Sequence, residues 1–368
     1  MRPLDGIVVL DLSTLLPGPM ASLILAEAGA EVIKVERPGT GDEMRGYPPF
    51  QGGESLPFAM LNRGKQSLAL DLKSPADRAR LEPYLARADV LVEQFRPGVM
   101  ARVGLDYGTL ADRFPGLIYC SITGFGQSGP KAQVAGHDLN YIAETGLLAL
   151  SMGPRDAPVV PPALIADIAG GAYPAVMNIL LALQARARTG QGAHLDVSMT
   201  DNMFPLAWWA LAQQQAAGPA PGNADGLLTG GTARYRLYPA SDGQIVAAAP
   251  IEQRFWENFC AVLDLPEELR DDGRDPQATL AEASRIIRAK PGAYWRKAFE
   301  GVDCCCTLVA TLAEALAEPH FRARGVMARR LALADGSVAH ALPVPLSAAL
   351  RSRPDDADRA PPLDGISG

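Results

Sequence analysis

Aromatic residues make up only 6% of the 368-residue chain, and histidine and cysteine are scarcer, with four and five copies. Three of the cysteines are consecutive at Cys304-Cys305-Cys306, which fits neither a disulfide framework nor the spacing of zinc ligands. A metal-free, cytoplasmic protein is expected. Basic residues are also in deficit, 34 against 41 acidic, for a net charge of −7 with the two signs interspersed. Such a chain presents no basic face to nucleic acid or anionic lipid, so neither is expected as a partner, and a polyanionic ligand would need a local basic pocket. No apolar run is read as long enough to span a membrane. The early run at 7–12 is too short for an export signal and is soon interrupted by Asp11 and Ser13. There is no internal repeat.

What the chain does have is length and apolar content, 48% of residues, enough for a sizeable core and about two domains. Ile7-Val8-Val9-Leu10-Asp11-Leu12 reads as a buried strand, Pro17-Gly18-Pro19 as its break, residues 20–28 as a helix and 31–36 as a second strand. Glu36 at the end of such a βαβ unit invites a dinucleotide reading. The turn Ser13-Thr14-Leu15-Leu16-Pro17-Gly18-Pro19 lacks the glycines that cradle a pyrophosphate, which excludes NAD there. Gly124-Phe125-Gly126-Gln127-Ser128-Gly129 does match the G-x-G-x-x-G pattern, but Pro130 and Lys131 follow it, so it reads as a turn allowing close backbone approach. Farther along, residues 213–223 are rich in Ala, Gly and Pro and read as a linker. Strand-like runs at 232–238 and 244–249 flank the hairpin signal Ser241-Asp242-Gly243, and helices are expected around 255–263, 277–289 and 312–317. Residues 302–308 read as a buried strand in which the cysteines pack.

Several positions carry chemistry. Arg37, Lys73 and Arg96 each follow a strand-like run, and Arg102 lies one turn beyond Arg96. Open α/β sheets bind ligands at strand ends, and phosphates favour such cations. His137, in Gly136-His137-Asp138-Leu139-Asn140-Tyr141, and Asp167, in Ala166-Asp167-Ile168-Ala169-Gly170-Gly171, form a candidate proton-transfer pair. An imidazole titrates near neutrality and burial can raise a carboxyl, so the two could work opposite faces of one acidic carbon. The structural alternative for Asp167 is an N-cap that ties down the first turn of a helix.

The run Leu61-Asn62-Arg63-Gly64-Lys65-Gln66-Ser67-Leu68-Ala69-Leu70-Asp71-Leu72-Lys73, then Phe95-Arg96-Pro97-Gly98-Val99, then Ser121-Ile122-Thr123-Gly124-Phe125-Gly126-Gln127-Ser128-Gly129-Pro130 closely resembles the class III CoA-transferase family. The segments at 136–141 and 166–171 are similar to its α-methylacyl-CoA racemase branch. The resemblance implies a doubly wound α/β large domain built from both chain ends (1–212 and 320–368), the linker at 213–223, and a small α+β domain at 224–319. It also implies an interlocked homodimer. By the same resemblance His137 and Asp167 exchange the α proton of an acyl-CoA and Glu252 supports the histidine. Arg37, Lys73, Arg96 and Arg102 hold CoA phosphates, while Leu70, Asp71, Leu72, Gly136, Asp138, Leu139, Asn140 and Tyr141 line the ligand. The CoA thioester is then substrate, and no separate cofactor is required.

Three functions compete on these residues. A racemase inverts the α-carbon through an enolate, whose oxygen needs preorganised donors. A class III transferase uses the aspartate matching Asp167 as a nucleophile and carries a glycine-rich loop over it, where this chain has only Gly230-Gly231. A non-catalytic acyl-CoA binder could dispense with His137 or Asp167, and both are present. The sequence therefore points to a racemase first and a transferase second.

Overall fold

The structure is a computed structural model that describes residues 2–351 and 358–366. Two compact units divide the chain, one of residues 1–145, 163–205 and 319–368, the other of 146–162 and 206–318.

In the first unit, short runs of β-branched and aliphatic residues form six strands: β1 (Val8–Asp11), β2 (Glu31–Glu36), β3 (Gln66–Ala69), β4 (Val90–Glu93), β5 (Ile118–Thr123) and β6 (Ala193–Ser198). All pair in parallel, in the order β3-β2-β1-β4-β5-β6. The central strands are buried on both faces, which explains why β1, β4 and β5 read as near-continuous apolar runs. Chain order reverses between β1 and β4, and a crevice therefore opens at their carboxyl ends. Helices α1 (Pro17–Glu27), α2 (Leu56–Asn62), α3 (Pro75–Leu85), α4 (Val99–Arg102), α5 (Tyr107–Arg113), α6 (Asp138–Glu144) and α7 (Tyr173–Thr189) connect and cover the strands. Leu10, Ile33, Leu68, Leu81, Leu91, Leu110 and Tyr119 are among the buried residues of one core layer.

Three local expectations change here and one, the reading of the G-x-G-x-x-G run as a turn, holds. Pro17-Gly18-Pro19 opens α1 instead of ending the strand, because proline at the first helical position lacks only an N–H that has no intrahelical partner anyway. The strand expected to run on to Lys73 stops at Ala69, and Asp71 to Lys73 form a turn in which the Lys73 N–H donates to Asp71 Oδ1 at 3.0 Å. The G-x-G-x-x-G match opens no helix; the next one, α6, starts at Asp138. Residues Ala166–Thr189 form one continuous helical segment that is long and apolar enough to cross a membrane by length and composition, contrary to the sequence expectation. Its inner residues Ala175, Val176, Ile179 and Ala182 are buried in the unit, and α7 packs on β5, β6 and α1. Glu36 is held by Arg45, which donates to both carboxylate oxygens at 2.8 and 2.7 Å, and by the Ser67 hydroxyl at 2.6 Å.

The second unit contains a three-stranded antiparallel sheet, β7 (Arg236–Pro239), β8 (Ile245–Ala248) and β9 (Cys306–Leu308), with β8 central. Helices α8 (Trp208–Ala217), α9 (Gln253–Leu263), α10 (Pro276–Arg288), α11 (Gly292–Phe299) and α12 (Leu312–Ala317) belong to it. Its core gathers Tyr238, Trp256, Phe259, Ile287 and Trp295. Gly243 at φ +82° makes the β7–β8 turn. The segment read as a linker is helical as far as Ala217, since its alanines and glutamines are good helix formers. Cys304 packs in the core, but Cys305 is exposed at φ +52°, so the three cysteines are not all packing residues. In the first unit, helix α13 (Pro319–Ala323) precedes a small sheet of β10 (Arg330–Ala332), β11 (Val338–His340) and β12 (Asp358–Arg359), with β10 in the middle.

Candidate active site

The crevice where β1 and β4 diverge is a cleft of about 430 Å³. Its walls are the loop after β1 (Leu15, Leu16, Pro17), the turn after β4 (Gln94, Phe95, Arg96), the end of β5 with Gly124, the segment around His137, and Asp167. Each wall is held by bonds that the sequence also encodes. Leu15 adopts φ +63°, and its N–H donates to both oxygens of Asp42 at 3.2 and 3.3 Å. Asp42 is fully buried with Lys34, whose Nζ lies 2.9 Å from Asp42 Oδ2 and donates to the Ser13 carbonyl at 2.7 Å. Lys65 Nζ reaches Asp11 Oδ2 at 3.1 Å and the Pro19 carbonyl at 2.9 Å. Burial works against the Asp11 charge, but Lys65, Lys34, Ser13 and Ser22 overcome it and hold the carboxyl below its usual range. Burial likewise lowers Lys65 to about 8 despite the attraction of Asp11. Gln94 Oε1 accepts the Gly18 N–H at 3.1 Å, tying the first loop to the second.

His137 is the N-cap residue of α6, exposed, with extended backbone and its N–H donating to Asn140 Oδ1 at 3.0 Å. Asp138 is buried one position later, and its Oδ1 accepts the Asp167 N–H at 3.0 Å. That bond brings two segments thirty positions apart in sequence to one place. Tyr141 lines the cleft, its hydroxyl donating to the Gly136 carbonyl at 2.5 Å. A Cβ at Gly124 would sit 2.5 Å from the Tyr141 ring and one at Gly136 2.7 Å from it, so only glycine fits at either position.

Asp167 is not an N-cap. It sits inside a π-helical turn, Ala166–Ala172, that runs on into α7. The widened turn is accommodated because Gly170 and Gly171 pack without side chains against Met199 and Pro17, and Asn202 Nδ2 donates to the Gly170 carbonyl at 2.8 Å. Burial first, and then the Asp138 charge, push the Asp167 carboxyl up to about 6, while His137 pulls the other way. A half-buried acid that changes charge close to neutrality, in one cleft with an exposed imidazole, can exchange protons with a bound carbon acid.

Of the residues chosen from sequence, His137, Asp167, Arg96, Gly136, Asn140 and Tyr141 line the cleft, with Asp138 behind Asp167. Leu70 is buried in the sheet core, Asp71, Leu72 and Lys73 lie in the turn after β3, and Leu139 points to solvent. Arg37 is exposed 3.6 Å from Glu43, and Arg102 is exposed at the end of α4. Glu252 belongs to the second unit, exposed at the N-cap of α9. The second unit has its own apolar cavity of about 600 Å³, lined by Trp208, Trp209, Leu228, Tyr235, Leu237 and Cys305 among others. Sequence reasoning missed Leu15, Gln94, Thr123 and Met199 as cleft residues. The available signal was the position of the first two, just after strands that flank a chain reversal.

Compared with known proteins, the chain matches the model of CoA-transferase family III over residues 4–365. It is 36% identical to an acetyl-CoA:oxalate CoA-transferase of Acetobacter aceti, covering 88% of this chain and 85% of that one. To the alpha-methylacyl-CoA racemase of Homo sapiens it is 35% identical, covering 88% and 81%. A CAIB/BAIF family protein from Brucella suis superposes with a TM-score of 0.79 at 31% identity, over 99% of this chain and 97% of that one.

Proposed function

The chain belongs to CoA-transferase family III, and from that premise we propose that it is an α-methylacyl-CoA racemase or epimerase. The observation that carries this reading is that His137 and Asp167 line one cleft, with the Asp167 carboxyl held at about 6. A thioester acidifies its α-carbon. Ionised Asp167 takes the α proton from one face, the electron pair moves into an enolate, and protonated His137 returns a proton to the other face. For the opposite enantiomer the roles exchange. Arg37, Lys73, Arg96 and Arg102 bind the CoA phosphates in this reading, and Glu252 supports the imidazole within an interlocked homodimer.

A transferase is the second reading, favoured by the near-equal likeness to the Acetobacter enzyme. Asp167 would then attack the thioester carbonyl and expel CoA thiolate, leaving a mixed anhydride. Incubation of a 2-methylacyl-CoA in D₂O separates the two. With a racemase the substrate gains deuterium at its α-carbon and loses optical purity with no acceptor acid present, and His137→Ala lowers that exchange roughly 10²–10⁴-fold. Hydroxylamine trapping at Asp167 during turnover with a carboxylate acceptor, combined with no α-deuteration, would replace the racemase by the transferase.

A further inference from the structure

Behind the cleft, Glu93 ends β4 with only 3% of its surface exposed. In the sheet register Glu93 pairs with Ser121 of β5 and Ser121 with Asp196 of β6, so the three side chains form one row on one face. Glu93 Oε2 accepts the Phe95 N–H at 2.7 Å, and the Ser121 hydroxyl sits beside the same carboxyl and eases its ionisation. At the exposed end of the row, the Asp196 oxygens accept the Gln127 N–H at 3.1 and 3.0 Å. Ser121 Oγ also lies 3.1 Å from His194 Nε2. The row thus holds, by backbone N–H groups, the two loops that carry Phe95, Arg96 and Gly124 into the cleft.

We infer that Glu93 is a positioning residue for the acyl-CoA cleft, fastening the Phe95-Arg96 turn, in a row whose outer member, Asp196, fastens the Gly124–Gln127 loop. The inference rests on the acyl-CoA reading above for its function, though not for its geometry. A cavity of about 70 Å³ adjoins Glu93, enough for a few waters, and is lined also by Arg96, Asp106, Tyr107, Tyr119, Gln127 and His194. Gln127 Nε2 is buried there without a protein partner, a donor that water bridging to Glu93 would satisfy.

Burial, helped by the Asp196 charge, pushes the Glu93 carboxyl up to about 7 against the pull of Ser121 and the Phe95 N–H. An opening that wets Glu93 returns it toward the ordinary carboxylate range. Between those two values the closed loops therefore lose ground to the open ones as pH rises, by at most about tenfold per pH unit, and above about pH 7 the loss levels off. The facing groups Asp196, His194, Asp106, Tyr107, Tyr119 and Arg96 belong to neighbouring elements, and substitution at Glu93 leaves all of them in place.

The test is amide hydrogen exchange of the unliganded protein, read as protection factors from about pH 4.5 to about pH 8, together with calorimetric titration of acetyl-CoA. Wild type should lose protection over residues 94–97 as pH rises from about 4.5 to about 7, and no further above that. Glu93→Gln, whose carbonyl still accepts the Phe95 N–H, should match wild type at the acid end of that range and show no such pH dependence. Glu93→Ala should open residues 94–97 at every pH and weaken acetyl-CoA about 10-fold, the value of one hydrogen bond to a charged acceptor. Asp196→Ala should open 124–129 alone. Unchanged protection in folded Glu93→Ala, or a pH dependence retained by Glu93→Gln, overturns the inference. If Glu93→Ala does not fold, the Glu93→Gln and Asp196→Ala profiles decide it by the same criteria. Wild type that binds no acetyl-CoA defeats the acyl-CoA reading instead, and the exchange profiles, which need no ligand, still decide the role of Glu93.

Discussion

Asp167 and Glu93 are both pushed toward neutrality by burial, to about 6 and about 7, yet only Asp167 lines the cleft. For each, the folded-state pKa lies above the unfolded one. The stability it permits is complete below the unfolded value near 4 and is lost as pH rises through the folded value. Asp167→Asn should therefore abolish turnover and also raise stability at pH 8 by about 1–2 kcal/mol after allowance for solvent at a half-buried site. Urea unfolding at pH 8 and again at pH 4, where the gain should vanish, checks the sign. Stability that falls at pH 8 would mean the carboxylate is paired in the folded protein. Gly124→Ala drives a Cβ to within 2.5 Å of the Tyr141 ring, an overpacking that should cost about 1–3 kcal/mol. Thermal unfolding measures it, and an unaltered midpoint would contradict the close approach. His137, Asn140 and Tyr141 were legible as neighbours because a helix start carries i, i+3 and i+4 to one place. Gln94 was not, because its partner Gly18 lies across the sheet.

Among the elements, the loop after β1 depends on buried charge. Lys34 and Asp42 are fully buried, and removing one partner strands the other, so Lys34→Met should cost about 3–5 kcal/mol. Lys34→Met with Asp42→Leu should recover most of that stability in a chemical denaturation series. It should not recover ligand affinity, because the Leu15 N–H has lost its acceptor. A double variant that stays as unstable as the single would show that the ion pair is not what makes the single change costly. At this scale the sequence was read well where local chemistry decides, as at Asp242-Gly243 in the β7–β8 turn. It was misread at Pro17-Gly18-Pro19, where proline both ends strands and begins helices. The π-turn at Asp167 follows from how closely Gly170 and Gly171 meet Met199 and Pro17, contacts that no window of sequence contains.

At the scale of the whole molecule, α7 exposes Tyr173, Met177, Leu180 and Leu181, with Leu181 at 67% of its surface. Their spacing makes one apolar stripe on the side of the helix away from the sheet. Such a stripe is costly to leave wet, and the homodimer expected from the family resemblance would cover it. Light scattering of the purified protein should give the mass of two chains, and Met177→Asp with Leu181→Asp should reduce the dimer or the yield of folded protein. A stable wild-type monomer at low concentration would contradict the assembly.

The sequence by itself determined the α/β class and the family and offered His137 and Asp167 as the candidate proton-transfer pair, because strand periodicity and contiguous motifs are local properties of a chain. Only the tertiary structure decided that His137 and Asp167 share a cleft with Arg96 while Arg37, Lys73 and Arg102 do not line it. It alone disclosed the Glu93-Ser121-Asp196 row and the buried Lys34–Asp42 pair. The reason is physical. Strand order, register and burial are set by contacts between residues far apart in sequence, and those contacts raise a carboxyl, close a loop or leave an arginine at the surface.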